Sequence, residues 1–396
     1  MLLSFRRVHR CALTVAALCA AAVAVLPAAA QAGGTVNDPP KVMTRNLYLG
    51  ADLTPAIAAL GCTPYPYCFF QTNADIWAAV GATNFPARAK LLAHEIDDDD
   101  PYAVGLQEVA LWRSGPFNLT KDAATVQYDF LQTLLSELAA RGNHYSPIVV
   151  QQEADVESPA GTFAAGFLDL TDRRLTMRDV ILVRTDLPKG RVSFSNPQSG
   201  NYAPTRTAEI GLGSSGYGDP CTYATPGPNC IVFKRGWTSI DIKIANKPAA
   251  RFVNTHLESA SSGIRQLQAA ELVGAFGGGP LLTTLPAILV GDFNSDASIP
   301  YGGDPTSGVS DGAALGIITS AGFVDTGNIE NTFGHDADLL DFPSNVFSER
   351  IDHVLTRPNS FGLFTSKVVG DGSAPVYRTP SGLWPSDHGG LIVGIG

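Results

Sequence analysis

Short runs of apolar and β-branched residues recur along the chain, and each run ends in polar residues. A continuous run of this kind is typical of a strand that is buried on both faces of a sheet. The pattern predicts strands at residues 42–48, 104–107, 180–184, 251–255, 287–290 and 350–355. We expect the polar ends of these strands to face one common rim.

Apolar residues at helical spacing predict helices at residues 86–96, 120–141 and 264–276. The second of these begins at a capping residue, Thr120, and ends at Gly142. Segments 155–178, 196–230 and 296–312 are rich in Gly, Pro, Ser and Asp, which predicts long loops. Strands that alternate with helices indicate an α/β protein.

The first 32 residues have the order of a secretory signal peptide. Arg6, Arg7 and Arg10 precede an apolar run over residues 11–27, and Ala-Gln-Ala follows at 30–32. The run is short for a membrane span, and no later stretch is apolar for long enough to cross a bilayer. We therefore expect residues 1–32 to be removed and residues 33–396 to form one secreted domain, extracellular or periplasmic.

The cysteines are consistent with export. Beyond the predicted signal peptide lie Cys62, Cys68, Cys221 and Cys230. An even number of cysteines in an exported chain indicates two disulfides. The short spacings favour Cys62 with Cys68 and Cys221 with Cys230, although three pairings are possible.

The charge of the chain narrows the range of partners. Without the arginines of the predicted signal peptide, 24 basic residues face 37 acidic ones, a net charge of −13. A surface this acidic does not favour nucleic acid binding through a basic face. It is still compatible with a nuclease whose metal ion supplies the local positive charge. Nothing in the sequence indicates a protein partner, and we expect a monomer.

Polar side chains that can bind metal ions or transfer protons cluster at the predicted strand ends. They are carboxylates, carboxamides and imidazoles: Asn46, Glu108, His256, Asp292, Asn294, Asp352, Asp387 and His388. Carboxylate and carboxamide oxygens suit Mg²⁺ or Mn²⁺. A histidine that is oriented by a carboxylate can transfer a proton. These groups together predict hydrolysis of a phosphoester by an activated water with the help of a metal ion.

Two other motifs are rejected because the residues around them do not fit the site that each motif would form. Gly211-Leu-Gly-Ser-Ser-Gly216 matches a dinucleotide-binding pattern, but the residues that follow cannot begin a long helix. The spacing of Asp292, Asn294 and Asp296 resembles the start of a calcium loop, which also requires Gly at its sixth position and Glu at its twelfth. The sequence offers Ala297 and Gly303 there. His94, His144 and His335 lie outside the motifs and are predicted to be surface or packing residues.

The ordered motifs TRNL, LQEV, NTHLES, GDFNSD, RIDH and SDH run from Asn46 to His388. This set resembles the endonuclease/exonuclease/phosphatase superfamily, which includes deoxyribonuclease-like and neutral-sphingomyelinase-like metal-dependent phosphoesterases. The resemblance implies a four-layer α/β sandwich in which two packed mixed β-sheets are flanked by helices. It also implies that the motif residues meet at one end of the sandwich.

The resemblance implies a role for each motif residue. Asn46 and Glu108 would hold the metal ion, and Asp387 would help to order the metal region. Asp292 would orient or deprotonate the attacking water, while Asn294 would donate a hydrogen bond to the scissile phosphate.

The resemblance also implies roles for the histidines. His388, polarised by Asp352, would contact the phosphate or act as the general base. His256 would act on the phosphate or the leaving group. The chain departs from the family pattern at Arg178-Asp179, where many relatives carry Asn-Gly or Ser-Gly. Arg178 is either a phosphate clamp or a salt-bridged residue at the start of a strand. His353 stands where an aromatic residue is common in relatives.

Three functions remain open at this point. The leading one is a nuclease or general phosphodiesterase, and the alternative is a sphingomyelinase- or phospholipase C-like enzyme acting on phospholipid headgroups. A catalytically inactive binding module of the same fold is the third, and the complete motif set argues against it. The Cys221 to Cys230 loop, with Tyr217, Tyr223 and Phe233 nearby, is a candidate for membrane docking.

Overall fold

The computed structural model describes residues 39–164, 167–209, 230–299, 311–325, 330–341, 347–358, 363–372 and 377–395. Residues Pro39–Gly396 form one compact unit. The predicted signal peptide and residues 210–229 lie outside the described residues, and with Cys221 the predicted disulfide between Cys221 and Cys230 also lies outside them. Cys62 and Cys68 are joined by a disulfide, with their Cα atoms 6.2 Å apart. No helix among the described residues has the length and hydropathy needed to cross a membrane.

The described strands have the following bounds in chain order: β1 Lys41–Asn46, β2 Ala103–Gln107, β3 Leu111–Pro116, β4 Thr125–Asp129, β5 Tyr145–Ala164, β6 Phe167–Arg184, β7 Val192–Asn201, β8 Arg206–Glu209, β9 Cys230–Phe233, β10 Gly236–Ile244, β11 Ala249–His256, β12 Ala287–Asp292, β13 Val324–Asp325, β14 Asp352–Arg357, β15 Leu363–Val369 and β16 Gly390–Ile395. The helices are α1 Thr54–Ala58, α2 Tyr67–Ala82, α3 Phe85–Asp99, α4 Phe130–Ala140, α5 Ser262–Leu272 and α6 Ala313–Ser320, with a 3₁₀ turn at Ala59–Gly61.

The strands form two large sheets and one short pair. The first sheet has the order β15-β16-β1-β2-β6-β3-β4, with β5 also paired to β6, and the second has the order β13-β14-β12-β11-β10-β7. Strands β1 and β2 are parallel, as are β11 and β12, while their other pairings are antiparallel. Both sheets are therefore mixed. Strands β8 and β9 pair separately.

Alternate residues of the central strands face two different apolar layers. In β1, Val42 packs in the cluster between the sheets, whereas Met43 packs against α2, α3 and α4 on the outer face of the first sheet. Residues of α5 and α6 pack on the outer face of the second sheet. A strand that is buried on both faces needs apolar residues at every position, as the sequence pattern has. The predicted four-layer α/β sandwich is confirmed.

Most predicted elements agree with the structure, but segment 120–141 does not. Its helix begins only at Phe130, where the Asp129 Oδ1 accepts the N–H of Leu131 at 3.1 Å, and Thr125–Asp129 is strand β4 instead. Val126 fits helical spacing, yet it is 55% exposed on this strand, which pairs with β3. The helical spacing of apolar residues predicted the wrong element here. Strand β4 is held in the sheet by backbone pairing with β3 and not by burial of its side chains.

Two predicted loops are wrong in whole or in part. Segment 155–178 lies in the long antiparallel hairpin of β5 and β6, and segment 196–230 contains part of β7 and all of β8. These strands extend beyond the buried core, so their residues need not be apolar. Their polar composition therefore led to the prediction of loops. Helix α2 was not predicted from the sequence. In segment 296–312, residues 300–310 lie outside the described residues.

Buried polar side chains link the two sheets beneath one end of the sandwich. Gln107 Nε2 donates to Asn254 Oδ1 at 2.5 Å, and Asn254 Nδ2 donates to the carbonyl of Leu106 at 3.1 Å. A Cβ atom on Gly105 would lie 2.6 Å from Asn254 Oδ1, so the sheets approach closely there because residue 105 is glycine. These hydrogen bonds satisfy polar groups in a dry interior, where an unpaired group is costly.

Gly291 has a similar role at the end of β12. Its φ of +150° is unfavourable for residues with a side chain, and a Cβ atom there would lie 2.0 Å from the carbonyl oxygen of Thr255 on β11. The glycine in the GDFN motif is therefore required by the close approach of two parallel strands.

We predict that Gly291→Ala lowers the free energy of unfolding by about 3 kcal/mol or more, because it combines an unfavourable φ with a clash against backbone. Urea unfolding at pH 7 measures this. Gly316→Ala in α6 is the matched control, since no atom lies within 4 Å of the added Cβ. It should raise stability by about 0.5–1 kcal/mol. Equal stability of the two variants would contradict the steric account.

Candidate active site

The candidate site lies at one end of the sandwich and takes residues from both sheets. In the second sheet, the register places His256 beside Asp292 on β11 and β12, and Asp292 beside Asp352 on β12 and β14. In the first sheet, β1 ends at Asn46 and β2 ends one residue before Glu108, with the two strands parallel. His388 lies just before β16. The predicted common rim is therefore formed by strand ends of both sheets.

Asp292 contacts site residues from both sheets. Asn46 Nδ2 on the first sheet donates to Asp292 Oδ2 at 3.0 Å, and the N–H of Asn294 donates to Oδ1 at 2.9 Å. His256 Nε2 lies 3.4 Å and His388 Nε2 3.7 Å from the same Oδ2 atom. The carboxylate, which is 1% exposed, is thus oriented by two hydrogen bonds and flanked by two imidazoles.

His388 and Asp352 form a buried pair. His388 Nδ1 lies 2.8 Å from Asp352 Oδ2, and Nε2 lies 3.9 Å from Asp387 Oδ1. Burial by itself lowers the pKa of His388, but Asp352, Asp387 and Asp292 outweigh that effect and raise this pKa to about 10. His388 is therefore an imidazolium at neutral pH, with Nδ1 directed to Asp352 and Nε2 directed to the Asp292 side.

The pKa of Asp292 is shifted in the direction expected for a buried carboxyl. Burial raises this pKa, His388 lowers it and Asp352 raises it, so that it reaches about 7. A carboxylate with a pKa near neutral pH can accept a proton and release it again under ordinary conditions.

His256 differs from His388 because its nearest charged neighbour is a cation. Arg235 Nη1 lies 2.8 Å from Nδ1 and 3.0 Å from Nε2 of His256, so a positive charge lies against both ring nitrogens. Burial, Arg235 and His388 hold the pKa of His256 well below its ordinary value. The site therefore pairs one charged with one neutral histidine on either side of Asp292.

Glu108 has a backbone conformation that is unusual for its residue type. Its φ is +55°, and its side chain Oε2 accepts the N–H of Leu49 at 2.8 Å. A non-glycine residue in this region costs about 1–2 kcal/mol, which persists only where the surrounding structure fixes it. Tyr48 and Asn294 also have positive φ, at 54° and 47°. All three line the same cleft.

The cleft has a volume of about 370 Å³ and presents oxygen ligands from separate chain segments. Glu108 and Asp387 both line it, whereas Asn46 is fully buried and is not among the lining residues, with its Oδ1 accepting the N–H of Tyr48 at 2.9 Å. Burial and Glu108 raise the pKa of Asp387, and with His388 opposing them it reaches about 6. Two half-buried carboxylates that face one cleft, one of which raises the pKa of the other, would be stabilised by a divalent cation, so this donor set fits Mg²⁺ or Mn²⁺.

A second group of possible metal ligands overlaps with the proton-transfer residues. One ligand atom each of Asp292, Asp352 and His388 lie within 4.8 Å of one another, all three residues being buried. Within this group Asp352 bonds His388 Nδ1, and Asp292 is bonded by Asn46 and Asn294. The metal ligands we favour remain Asn46, Glu108 and Asp387.

Two buried arginines fix the loops that carry these side chains. Arg88 donates to the carbonyls of Leu47 and Pro385 at 2.8 Å each and to that of Tyr48 at 3.0 Å. It thereby joins the segment after Asn46 to the segment before Asp387. Arg45 donates to the carbonyl of His388 and forms an ion pair with Glu95 at 2.9 Å.

Arg178 is placed outside the cleft. Its Nε donates to the carbonyl of Val109 at 2.9 Å, and its Nη2 forms an ion pair with Asp129 at 2.7 Å. It is not among the residues that line the cleft. The geometry therefore favours the salt-bridge interpretation over the phosphate clamp, because the guanidinium is already engaged with the segment that follows Glu108.

The sequence motifs did not indicate several residues of the cleft. Arg235 and His335 line it outside the motifs, and Glu258 lies in the NTHLES motif but was assigned no role from it. His335 stacks on Trp384 with ring centroids 4.2 Å apart, in agreement with its predicted packing role. His353 is fully buried and bonds Ser295 O and Asp325, which gives it a structural role. Only the position of Arg235 directly before β10 could have indicated it.

The fold and the site define a phosphoesterase-type sandwich, and the comparison with family models agrees. The chain belongs to the Endonuclease/Exonuclease/phosphatase family, whose model matches residues 79–388. Members of this family are hydrolases that act on phosphoesters. The resemblance seen in the sequence motifs is thus confirmed.

Solved structures with distant sequences are also similar to the chain. A mannosyl-6-phosphatase of Bacteroides thetaiotaomicron has 18% identity and a TM-score of 0.48, with 90% of this chain and 99% of that chain covered. An endonuclease/exonuclease/phosphatase of Beutenbergia cavernae has 16% identity and a TM-score of 0.48, with 90% and 71% covered. Humanized D. rerio TDP2 has 13% identity and a TM-score of 0.44, with 90% and 98% covered. Comparison with curated proteins found no match.

We predict that Asp352→Asn lowers the pKa of His388 from about 10 by about one unit or more, because a carboxylate at hydrogen-bond distance shifts a neighbouring pKa by about 1–3 units. NMR titration of the imidazole in metal-free protein measures this. Asp98→Asn on the surface is the control and should leave this titration unchanged.

The raised pKa of His388 also determines how the effect of Asp352→Asn on the free energy of unfolding changes with pH. The stabilisation from the His388 proton is complete below the ordinary pKa of 6.5 and is lost as pH rises through about 10. Asp352→Asn should therefore cost most stability at pH 6 and least above pH 10. The reverse trend in urea unfolding would refute the pairing.

Proposed function

We propose that the protein is a secreted divalent-metal-dependent phosphodiesterase, acting as a nuclease or as a general phosphodiesterase. The observation that carries the proposal is the convergence on Asp292 Oδ2, which receives the Asn46 amide from one sheet and lies within 4 Å of both histidines. Membership of the family supports phosphoester hydrolysis. The order of residues 1–32 supports export.

Asn46, Glu108 and Asp387 are the residues that would hold the cation. When bound, the divalent cation would supply positive charge to a phosphoryl oxygen and to the departing oxygen. The carboxylates of Glu108 and Asp387 fit this role because they face one cleft, where Glu108 disfavours the ionised form of Asp387.

Asp292 is suited to orient the attacking water and accept its proton. Both carboxylate oxygens are fixed by hydrogen bonds, and its pKa of about 7 allows it to accept a proton near neutral pH. Asn294 would contribute a second amide hydrogen to the phosphate, since one of its two hydrogens is bonded to the carbonyl of Leu257 at 3.0 Å.

His388 is suited to stabilise the negative charge that develops on the phosphoryl group. Asp352 fixes the orientation of the ring and favours its protonated form, so that Nε2 can donate to a phosphoryl oxygen. His256 remains neutral beside Arg235, and it would hydrogen-bond the phosphate or the leaving oxygen without adding charge.

The first test is hydrolysis of bis-p-nitrophenyl phosphate with Mg²⁺, with Mn²⁺ and with excess chelator. We expect turnover that disappears with the chelator and returns with the metal. Turnover that is unaffected by the chelator would refute the metal-dependent mechanism. Parallel assays on DNA, RNA and sphingomyelin identify the substrate class, and hydrolysis of none of these esters would refute the proposed activity.

We predict that His388→Ala lowers kcat at least about 100-fold, the usual contribution of a positioned acid–base group. The fold should remain intact by circular dichroism. His144→Ala is the control, because His144 is exposed and outside the cleft. Near-normal activity of His388→Ala would exclude it from the reaction.

We predict that Glu108→Gln raises the Mg²⁺ concentration for half-maximal activity about 10-fold or more, because it removes a ligand charge. The amide oxygen can still accept the N–H of Leu49, so the local backbone should be retained. Glu137→Gln on α4 is the control. An unchanged Mg²⁺ titration would rule out Glu108 as a ligand.

A further inference from the structure

An apolar pocket with a volume of about 430 Å³ lies beside the catalytic cleft. Its walls come from the segment around α1, from α2, and from β3, β5, β6 and β9. Representative lining residues are aliphatic or aromatic: Leu53, Ile57, Phe69, Trp77, Trp112 and Phe233. The volume is in the range of small-molecule sites, about 300–1,000 Å³.

The pocket and the catalytic cleft are contiguous. Leu53, Ile57 and Phe233 line both of them. Leu49 connects their walls, because its carbonyl accepts the indole N–H of Trp112 at 2.8 Å while its own N–H donates to Glu108 at 2.8 Å. A molecule in the catalytic cleft could therefore extend into the pocket without leaving the protein surface.

The aromatic wall is fixed by its own contacts. The rings of Trp77 and Trp112 meet edge to face with centroids 6.0 Å apart, and the guanidinium of Arg173 lies 4.1 Å from the centroid of Trp77. Asn73 on α2 donates to the carbonyl of Pro159 on β5 at 3.1 Å, which ties the helix to the sheet. The pocket is thus a preformed feature of the fold.

The lining chemistry selects the kind of group that can bind. A nucleotide base needs hydrogen-bonding partners for its edges, and a further phosphate needs cationic side chains. The pocket instead offers mostly carbon surface, with Arg173 and Glu157 as its charged members. An alkyl chain or an unsubstituted aromatic ring matches this surface, since transfer of apolar area out of water drives its binding.

We propose that this pocket binds the apolar ester group, an alkyl chain or aromatic ring, of a phosphodiester whose phosphorus lies beside Asp292 and His388. The inference rests on the proposed function and narrows its substrate class. In the reaction, a water oxygen bonds to phosphorus, one ester P–O bond breaks, and the alcohol leaves with a proton. The pocket determines which phosphodiester reaches the reacting groups.

The test uses n-alkyl methyl phosphates with methyl, butyl, hexyl and octyl chains, which carry no competing aromatic ring, and follows hydrolysis by ³¹P NMR. Burial of each methylene in the pocket should raise kcat/KM by up to about fourfold until the pocket is filled. A value of kcat/KM that is independent of chain length in the unmodified protein would overturn the inference.

A matched pair of variants locates the effect. Ala56 lines the pocket, whereas Ala58 on the same short helix is exposed and does not. Ala56→Phe should fill part of the volume and reduce the octyl-to-methyl ratio of kcat/KM at least tenfold, while Ala58→Phe should leave that ratio unchanged. If the octyl-to-methyl ratio of kcat/KM is equal in the two variants, the chain-length effect arises from another surface and not from this pocket.

Binding of 1-octanol, followed by the fluorescence of Trp77 and Trp112, tests the pocket without any chemistry. Octanol should bind more tightly than butanol, and Ala56→Phe should weaken octanol binding at least tenfold relative to Ala58→Phe. If octanol binds and no phosphodiester is hydrolysed, the proposed function fails while the apolar site stands. If octanol does not bind, the pocket inference fails even where hydrolysis is observed.

The apolar group could belong to a soluble ester or to a lipid, and a last comparison separates these sources. Monomeric dihexanoyl phosphatidylcholine and vesicles of dimyristoyl phosphatidylcholine are assayed under the same conditions. Faster hydrolysis of the monomer indicates a soluble substrate, and faster hydrolysis of the vesicles indicates a lipid surface. Both outcomes support binding of an apolar ester group in the pocket. If both phosphatidylcholines are hydrolysed more slowly than dimethyl phosphate, the inference is overturned.

Discussion

The face-to-face packing of the two sheets is the constraint on which the site depends. Asn46 and Glu108 belong to the first sheet, and His256, Asp292 and Asp352 belong to the second. The hydrogen bond between Gln107 and Asn254 and the missing side chain of Gly105 set the separation of the sheets directly below these strand ends. Since packed interiors deform little, the hydrogen bond between Asn46 and Asp292 is a consequence of the core.

Burial at this junction also determines the charge states. In a site of low polarity, each carboxylate affects the protonation of its neighbours over several ångströms. The pKa of Asp292 rises to about 7 and that of His388 to about 10, whereas burial and the cation of Arg235 hold the pKa of His256 well below its ordinary value. A site with this distribution can accept a proton from water and stabilise developing negative charge within one cleft.

The sequence predicted the strands whose apolar residues are buried on both faces, because burial leaves a continuous apolar run. It was wrong for β4 and for the outer parts of β5 and β6, where strands are formed by backbone pairing and the side chains are largely polar. The cleft residues with motifs were identified from the sequence. Arg235 was not, because its role depends on the ring of His256, which is 21 residues away in the chain.

The sequence by itself determined the α/β class and the set of oxygen and imidazole groups at the strand ends, since these follow from local patterns, and its ordered motifs carried the resemblance that implied the family and the layered fold. Only the tertiary structure decided that Arg178 pairs with Asp129 outside the cleft and that an apolar pocket adjoins Glu108 through Leu49. Those features arise where segments far apart in the chain meet. Their chemistry depends on distances that no single segment of the sequence encodes.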